Sequence, residues 1–292
     1  MESAWATIAQ HISAATGAPF AVHSHHSVGG GCINSATVLQ DASRKFFVKL
    51  NDAARLSMFE AEAEGLKEIV QSRSVRVPLP LCSGTVDGSA FLVLEHLELE
   101  SADAHSLEQL GRELAQMHRA TQKNFGWHRD NTIGSTSQIN TPNADWVAFW
   151  REHRLGFQLK LATQNGRNLM KKGERLMADL GDFFHTYRPV PSLLHGDLWG
   201  GNIGAAGERP VIFDPAVYYG DREADLAMTE LFGGFSARFY QTYQEAWPLD
   251  PGYKIRKTLY NLYHVLNHFN LFGGGYASQA EHMIDSLLSE LR

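Results

Sequence analysis

His195-Gly196-Asp197-Leu198-Trp199-Gly200-Gly201-Asn202, followed twelve residues on by Asp214, is the stretch on which the reading of this chain turns. Short apolar runs of β type flank it, Ser192 to His195 on one side and Pro210 to Asp214 on the other. Asp197 therefore sits in a loop after a strand, and Asp214 follows Val211-Ile212-Phe213, so its carboxylate emerges at a strand end beside that loop. A single Asp in a loop is ordinarily a turn or a helix cap. Here a strand, Asp197, Asn202 and a second strand ending in Asp214 coincide in order and spacing, which favours a site of chemistry over a cap.

Composition narrows the classes of function. With 43% hydrophobic and 20% charged residues over 292, the chain has the make-up of a soluble globular protein, long enough for two lobes with separate cores. Its formal charge of -6 and the lack of a basic run argue against nucleic acid as a partner. No apolar run approaches the roughly 18 residues of a membrane span. The opening Met1-Glu2-Ser3-Ala4-Trp5 lacks the charged and apolar regions of a secretory signal, and Cys32 and Cys82 are too few for a disulfide framework, so a cytoplasmic location is expected. The histidines are scattered without a Cys/His ligand pattern, which argues against a histidine-held metal.

Outward from the central stretch, the hydrophobic period divides the chain. Trp5, Ile8 and Ile12 mark a helix over residues 2 to 16. Three β-type runs follow, Phe20 to Val28, Ile33 to Gln40 and Lys45 to Leu50, with Gly29-Gly30-Gly31 at the first bend and Asp41-Ala42-Ser43 at the second. Phe59, Ala63, Leu66 and Val70 predict a helix over 53 to 70 with one buried stripe. Val75 to Pro80 reads as extended, and Ala90 to Leu94 as a buried strand ending at Glu95-His96-Leu97. Beyond about residue 98 the pattern is helical: Leu107, Leu110, Leu114 and Met117 form one stripe, and further helical runs lie near 143 to 162, 167 to 187, 223 to 246 and 253 to 271. The expected architecture is α+β and bilobal, with a sheet-rich lobe over residues 1–96, a polar hinge, and a mostly helical lobe over 97–292. That order is the order of kinase-like folds, with a nucleotide between the lobes.

Phosphoryl transfer asks for positioning and charge neutralisation: a cation on the phosphates, oxygen ligands for Mg²⁺, and a carboxylate to take the acceptor's proton. Asp197 lies five residues before Asn202, the spacing of the kinase catalytic loop in which the Asp is base and the Asn a metal ligand. Asp214 stands where the second metal ligand belongs, and few, hard oxygen donors suit Mg²⁺. His195 reads as a packing residue that orients the loop rather than as a proton carrier. In Phe46-Phe47-Val48-Lys49-Leu50, alternation sends Phe47 and Lys49 to one face and points the ammonium into the cleft, as a phosphate-binding cation. Glu62, on the apolar stripe of the next helix, is the expected partner of Lys49, with Glu60 and Glu64 as alternatives. The loop Gly29-Gly30-Gly31-Cys32-Ile33-Asn34 lets main-chain N–H groups approach phosphate, although a glycine run alone is more often a turn. Cys32 reads either as an oxidisable thiol at the tip of that loop or as a small buried residue.

These residues, together with Met58-Phe59-Glu60-Ala61-Glu62, Phe125-Gly126 with Asn131, Ile133 and Gly134, Trp146 with Arg154-Leu155, Asp214-Pro215-Ala216, Phe232-Gly233-Gly234-Phe235 and Leu266-Asn267-His268, resemble the fructosamine/ketosamine-3-kinases over nearly the whole chain. That family is related to the aminoglycoside and choline kinases within the protein-kinase-like superfamily. The resemblance implies that ATP, with Mg²⁺, phosphorylates the 3-hydroxyl of a ketosamine, free or on a protein lysine, with ribulosamines preferred over fructosamines. It further implies Asp197 as base, Asn202 and Asp214 as Mg²⁺ ligands, Lys49 with Glu62 as the phosphate-holding pair, and Glu95, His96 and Leu97 as a hinge that meets adenine through its backbone. Asp225 is expected to brace the catalytic loop. For the acceptor, Trp199 offers an aromatic platform, and Tyr263, His264, Asn267 and His268 lie on adjacent turns of a late helix that could close the pocket. The alternatives are a kinase for an aminoglycoside, choline or another amino alcohol, and a nucleotide-binding scaffold without catalysis; intact Lys49, Asp197, Asn202 and Asp214 count against the last.

Overall fold

Trp5, Ile8 and Ile12 recur at helical spacing, and in the structure, a computed structural model that describes residues 2–29 and 33–291, they are the buried stripe of helix α1 (Glu2–Thr16). This stripe packs on one face of an antiparallel sheet made from β1 (Ser24–Val28), β2 (Ser35–Gln40), β3 (Lys45–Asp52), β4 (Pro80–Val86) and β5 (Ser89–Glu95), in the order β1-β2-β3-β5-β4. Alternation along β3 turns Phe46, Val48 and Leu50 toward α1 and Phe47 toward the other face. That second face is covered by α2 (Leu56–Gln71), which Met58, Phe59, Leu66 and Ile69 anchor.

One reading of this part changes and one strand is added. The stripe of α2 ends on Ile69, fully buried, while Val70 is 39% exposed. Val70 lies about 100° further round the helix than Ile69 and falls off the buried face. The extended segment Val75 to Pro80 leads into a strand that the sequence reading did not assign: β4 pairs with β5 along its length. Pro80 is its first residue and the strand lies at the sheet edge, the two conditions under which a strand tolerates proline.

The remainder is mostly helical. It runs through α3 (Ala104–His118), the strands β6 (Asn131–Ile133) and β7 (Thr136–Gln138), and α4 (Trp146–Trp150), which passes through a π-turn into α5 (Phe157–Gln164). Then come α6 (Met170–Ala178), the strands β8 (Ser192–Leu194), β9 (Ile203–Ala206), β10 (Arg209–Ile212) and β11 (Tyr218–Gly220), and finally α7 (Glu223–Leu231), α8 (Ala237–Ala246), α9 (Tyr253–Phe272) and α10 (Tyr276–Glu290). The helical run over 223 to 246 is two helices, because Gly233 (φ 96°) and Gly234 (φ 75°) take left-handed backbone between them. The pairs β9–β10, β8–β11 and β6–β7 are each antiparallel ladders of three or four residues. The architecture is the α+β, protein-kinase-like one, a sheet-rich N-terminal part followed by a helical C-terminal part. One continuous apolar core runs from Phe59, Leu66 and Leu92 through Leu114, Leu194 and Leu226 to Leu262 and Ile284, so α2 belongs to both parts at once. Among the described residues no helix is long and apolar enough to cross a membrane.

Helices α3 and α8 approach closely at Gly111, where a Cβ would run into Thr242 Oγ1 and the Phe239 carbonyl oxygen. Gly111→Ala is expected to lower the unfolding free energy by about 1–3 kcal/mol through overpacking. Urea titration of the variant checks this, and an unchanged midpoint would refute the close packing.

Candidate active site

The loop after β8 is held by a carboxylate rather than by regular structure. Asp225, in the first turn of α7 and 1% exposed on its side chain, accepts the His195 N–H (2.7 Å) on one oxygen and the Gly196 N–H (2.8 Å) on the other. The imidazole of His118, from α3, donates a third hydrogen bond through Nε2 (3.2 Å), while its Nδ1 meets the Tyr243 hydroxyl (2.8 Å). Burial alone would raise Asp225, but the hydrogen bond from His118, its charge interactions and the Gly196 N–H overcome this and hold the carboxyl below its ordinary value. Gly196 has φ 81°, and a Cβ there would collide with the Ala216 carbonyl. His195 is fully buried. Its Nε2 donates to the Phe213 carbonyl (3.0 Å) and its Nδ1 accepts the Asp197 N–H (3.3 Å), so the ring ties the loop to the segment that carries Asp214. Burial depresses its pKa and keeps it neutral.

Asn202 immediately precedes β9, and Asp214 comes two residues after β10. The β9–β10 register, Ile203 opposite Ile212, brings both to the same end of the hairpin, where the Phe213 N–H donates to the Asn202 carbonyl (3.0 Å). Asn202 Nδ2 donates to the Asp197 carbonyl (2.9 Å) and to Asp197 Oδ2 (3.3 Å). Burial, with the Asp214 charge second, pushes the half-buried Asp197 up to about 7. Asp214 itself adopts φ 56°, left-handed backbone that is uncommon outside glycine.

Lys49 is 5% exposed, and its Nζ bonds both Glu62 Oε1 (2.6 Å) and Asp214 Oδ1 (2.5 Å). Burial would depress the ammonium, but the charges of Asp214 and Glu62 outweigh it and hold Lys49 above its ordinary value, protonated. The two alternatives on α2 face elsewhere: Glu64 pairs with Arg129 (2.7 Å) and His128 (2.8 Å), and Glu60 lies 3.8 Å from Arg129. Gly29 is exposed just past β1; Gly30, Gly31 and Cys32 lie outside the described residues. One contact absent from the sequence reading is Asn51, whose Nδ2 donates to Asn34 Oδ1 (2.7 Å) and to the Ile33 carbonyl (3.2 Å), tying the far side of the glycine loop to β3.

Glu95 turns inward at the end of β5. Its side chain binds Arg76 and the Leu79 N–H, and its own N–H donates to the Leu79 carbonyl (2.8 Å). Among the described residues, the main-chain groups of His96 and Leu97 make no hydrogen bond to another main-chain group.

On the other side of Asp197, Trp199 is 38% exposed and lies over Gly201, where a Cβ would overlap the indole. Its ring meets Phe232 edge-on at 6.1 Å, and Phe232 packs against His268 at 4.7 Å. His268 Nδ1 donates to the His264 carbonyl (2.8 Å), which leaves Nε2 as an acceptor. The late helix thus contributes less than its sequence suggests. Tyr263 (bonded to Gln138 Oε1 at 2.8 Å), Asn267 (to Gln158 at 3.1 Å) and His264 are buried core residues; of the four, His268 alone joins the aromatic row. Phe232 connects that row, and its only sequence signal is the glycine pair that follows it.

The donors suit a hard cation. With Nδ2 of Asn202 committed to Asp197, its side-chain Oδ1 is left over, and Asp214 keeps a second oxygen beyond the one on Lys49. Among the described residues no group of three or more His, Cys, Asp or Glu side chains could hold a metal, so a cation here would take two protein oxygens and the rest from nucleotide and water, as Mg²⁺ does with nucleotides.

The chain matches the family model described as Fructosamine kinase over residues 4–290. It is 50% identical over 293 residues to a probable ketoamine kinase from Synechocystis, covering 97% of each chain. It is 47% identical over 272 residues to the chloroplastic protein-ribulosamine 3-kinase of rice, covering 91% of this chain and 79% of the relative. The crystal structure of a Haemophilus somnus protein assigned as a fructosamine-3-kinase superposes with a TM-score of 0.91 at 31% identity, covering 97% of both chains.

Removing the Asp225 carboxylate leaves two buried main-chain donors and an imidazole without an acceptor. Asp225→Ala is therefore expected to cost about 3 kcal/mol or more of stability. Chemical denaturation measures it, and a loss below about 1 kcal/mol would remove Asp225 as the anchor of the loop.

Proposed function

This chain belongs to the fructosamine kinase family, and on that premise we propose that it transfers the γ-phosphoryl group of ATP to the 3-hydroxyl of a ketosamine. The observation that carries the reading is the pairing of Lys49 with both Glu62 and Asp214 at the end of the hairpin where Asn202 bonds Asp197. The nucleotide lies between a lobe of residues 1–96 and a lobe of residues 97–292. Its adenine meets the main chain of Glu95, His96 and Leu97, and the loop at Gly29, Gly30 and Gly31 covers the phosphates. Lys49, steadied by Glu62, neutralises phosphate oxygens. Asn202 and Asp214 would hold Mg²⁺, whose charge offsets that of the phosphates.

Asp197 takes the proton of the acceptor hydroxyl as its oxygen bonds to the γ-phosphorus and the bond to the β-phosphate oxygen breaks, releasing ADP. Trp199, Phe232 and His268 form the acceptor side, with His268 Nε2 available to a substrate hydroxyl or amine N–H. The phosphate ester so formed breaks down and frees the amine. Family membership favours ketosamines over aminoglycosides or choline, and the rice relative's name, protein-ribulosamine 3-kinase, supports ribulosamines, including those on proteins. ADP release should therefore be faster with a ribulosyl-lysine than with the fructosyl compound, and a clear preference for a non-ketosamine alcohol would overturn the assignment.

Asp197→Asn should lower kcat by about 10²–10⁴-fold, the usual range for loss of a general base. With the carboxyl lifted to about 7, it holds its own proton below that pH and cannot accept another, so kcat/KM should fall about tenfold per pH unit on the acid side. A profile flat down to pH 5 would show that the carboxyl is not lifted in the working enzyme, and the Asp197→Asn rate then decides the base alone.

A further inference from the structure

The β9–β10 hairpin is widened by one residue from each side of the connection between the lobes. Glu100 pairs with Ala205 of β9 through two hydrogen bonds of 2.9 Å, and Arg76 pairs in parallel with Val211 of β10, the Ile212 N–H donating to the Arg76 carbonyl (3.0 Å). Arg76 also reaches the other way. Its Nη2 bonds Glu95 Oε1 and its Nη1 bonds the Val77 carbonyl (2.9 Å), while Glu95 Oε2 takes the Leu79 N–H (3.1 Å). One residue is thus bonded by its main chain to the strand that ends two residues before Asp214, and by its side chain to the first residue of the Glu95–Leu97 segment.

The pair is partly exposed, 26% and 32% on its side chains, so its contribution to stability is small. What a planar guanidinium holding two acceptors does supply is fixed geometry. We propose that Arg76 is a positioning residue for phosphoryl transfer, setting the register between the adenine end of the nucleotide cleft and its phosphate end. This rests on the reading of Glu95–Leu97 and Asp214 given above. ATP touches both ends, so its binding depends on their spacing; adenosine touches one.

The test compares wild type, Arg76→Ala and Arg76→Lys by ligand-observed NMR with adenosine and by steady-state kinetics with ATP and a ribulosamine. In Arg76→Ala the KM for ATP should rise about tenfold, as small misplacements of bound substrate do, while adenosine affinity and the KM for ribulosamine change less than about twofold. Arg76→Lys should resemble Ala, because an ammonium cannot reproduce the planar two-acceptor fork. An unchanged KM for ATP overturns the proposal. Equal weakening of adenosine and ATP, the sign of a merely disordered segment, also overturns it. Should Arg76→Ala fail to fold, Arg76→Lys alone is judged by the same two criteria. If the wild-type enzyme turned over no ketosamine, the acceptor assignment would fall, and comparing ATP with adenosine affinities would still decide the role of Arg76.

Discussion

The ammonium of Lys49 is buried, and a buried charge must be paired. Its partners come from 13 and 165 residues along the chain, so the sheet, α2 and the β9–β10 hairpin must all be seated before the pairing exists. Two carboxylates around one ammonium leave one negative charge in excess, which suits a site that receives a cation with its nucleotide. The same requirement explains how firmly α2 is held. The Tyr219 hydroxyl donates to Glu68 (2.7 Å), Arg129 grips Glu64, and Gly65 lies against Val217 so tightly that a Cβ would approach Val217 Cγ2 to 2.9 Å. Between α2 and the catalytic loop, the segment after Asp214 is fastened by Gln138 to the Ala216 carbonyl (3.0 Å) and by Asn131 to the Val217 carbonyl (2.8 Å). That stretch is a structural part of the core.

A second cluster of buried carboxylates sets the catalytic loop. Asp221, Glu223 and Asp225 alternate at the start of α7, each almost fully buried, at a helix end where negative charge is favoured. Their partners differ. Asp221 accepts from Tyr187 (2.8 Å) and Tyr260, Glu223 is held by Arg256 (2.7 and 2.9 Å), and Asp225 serves the loop. A charge without its donors would be costly at any of these positions, so the α7 terminus has little freedom to shift. That rigidity passes to His195 and Gly196 through two short hydrogen bonds and from there to Asp197.

These constraints explain which parts could be read from sequence. Strand β3 and helices α1 and α3 announced themselves because each buries one face over many residues, and that leaves a period. The ladder β6–β7 and the strand β11 are too short to leave one, and α10, whose buried face begins with Ala277 and Ala280, presents weak contrast. Val70 misled because adjacent apolar residues satisfy the same helical template. Within the loop, the closeness of Asp197 and Asn202 was legible through their spacing, since a five-residue turn fixes how far apart the two side chains stand. Asn51, Arg76 and His118 were not, for they act on residues 17 to 107 positions away and carry no local pattern.

The acceptor side shows the limit most plainly. Trp199, Phe232 and His268 meet across three separate elements, and each alone is an ordinary aromatic residue of a core. Phe272 and Tyr276 extend the row from His268, at 5.7 and 5.3 Å between ring centroids. The row is not closed over, since Phe272 is 56% exposed at one end and Trp199 38% exposed at the other. An aromatic wall of this kind favours the apolar face of a sugar ring and a protonated amine. Phosphoryl transfer needs oxygen donors at fixed spacing, which a short motif can encode, whereas an aromatic row assembled from three separate elements is joined only by the fold, and no motif records that.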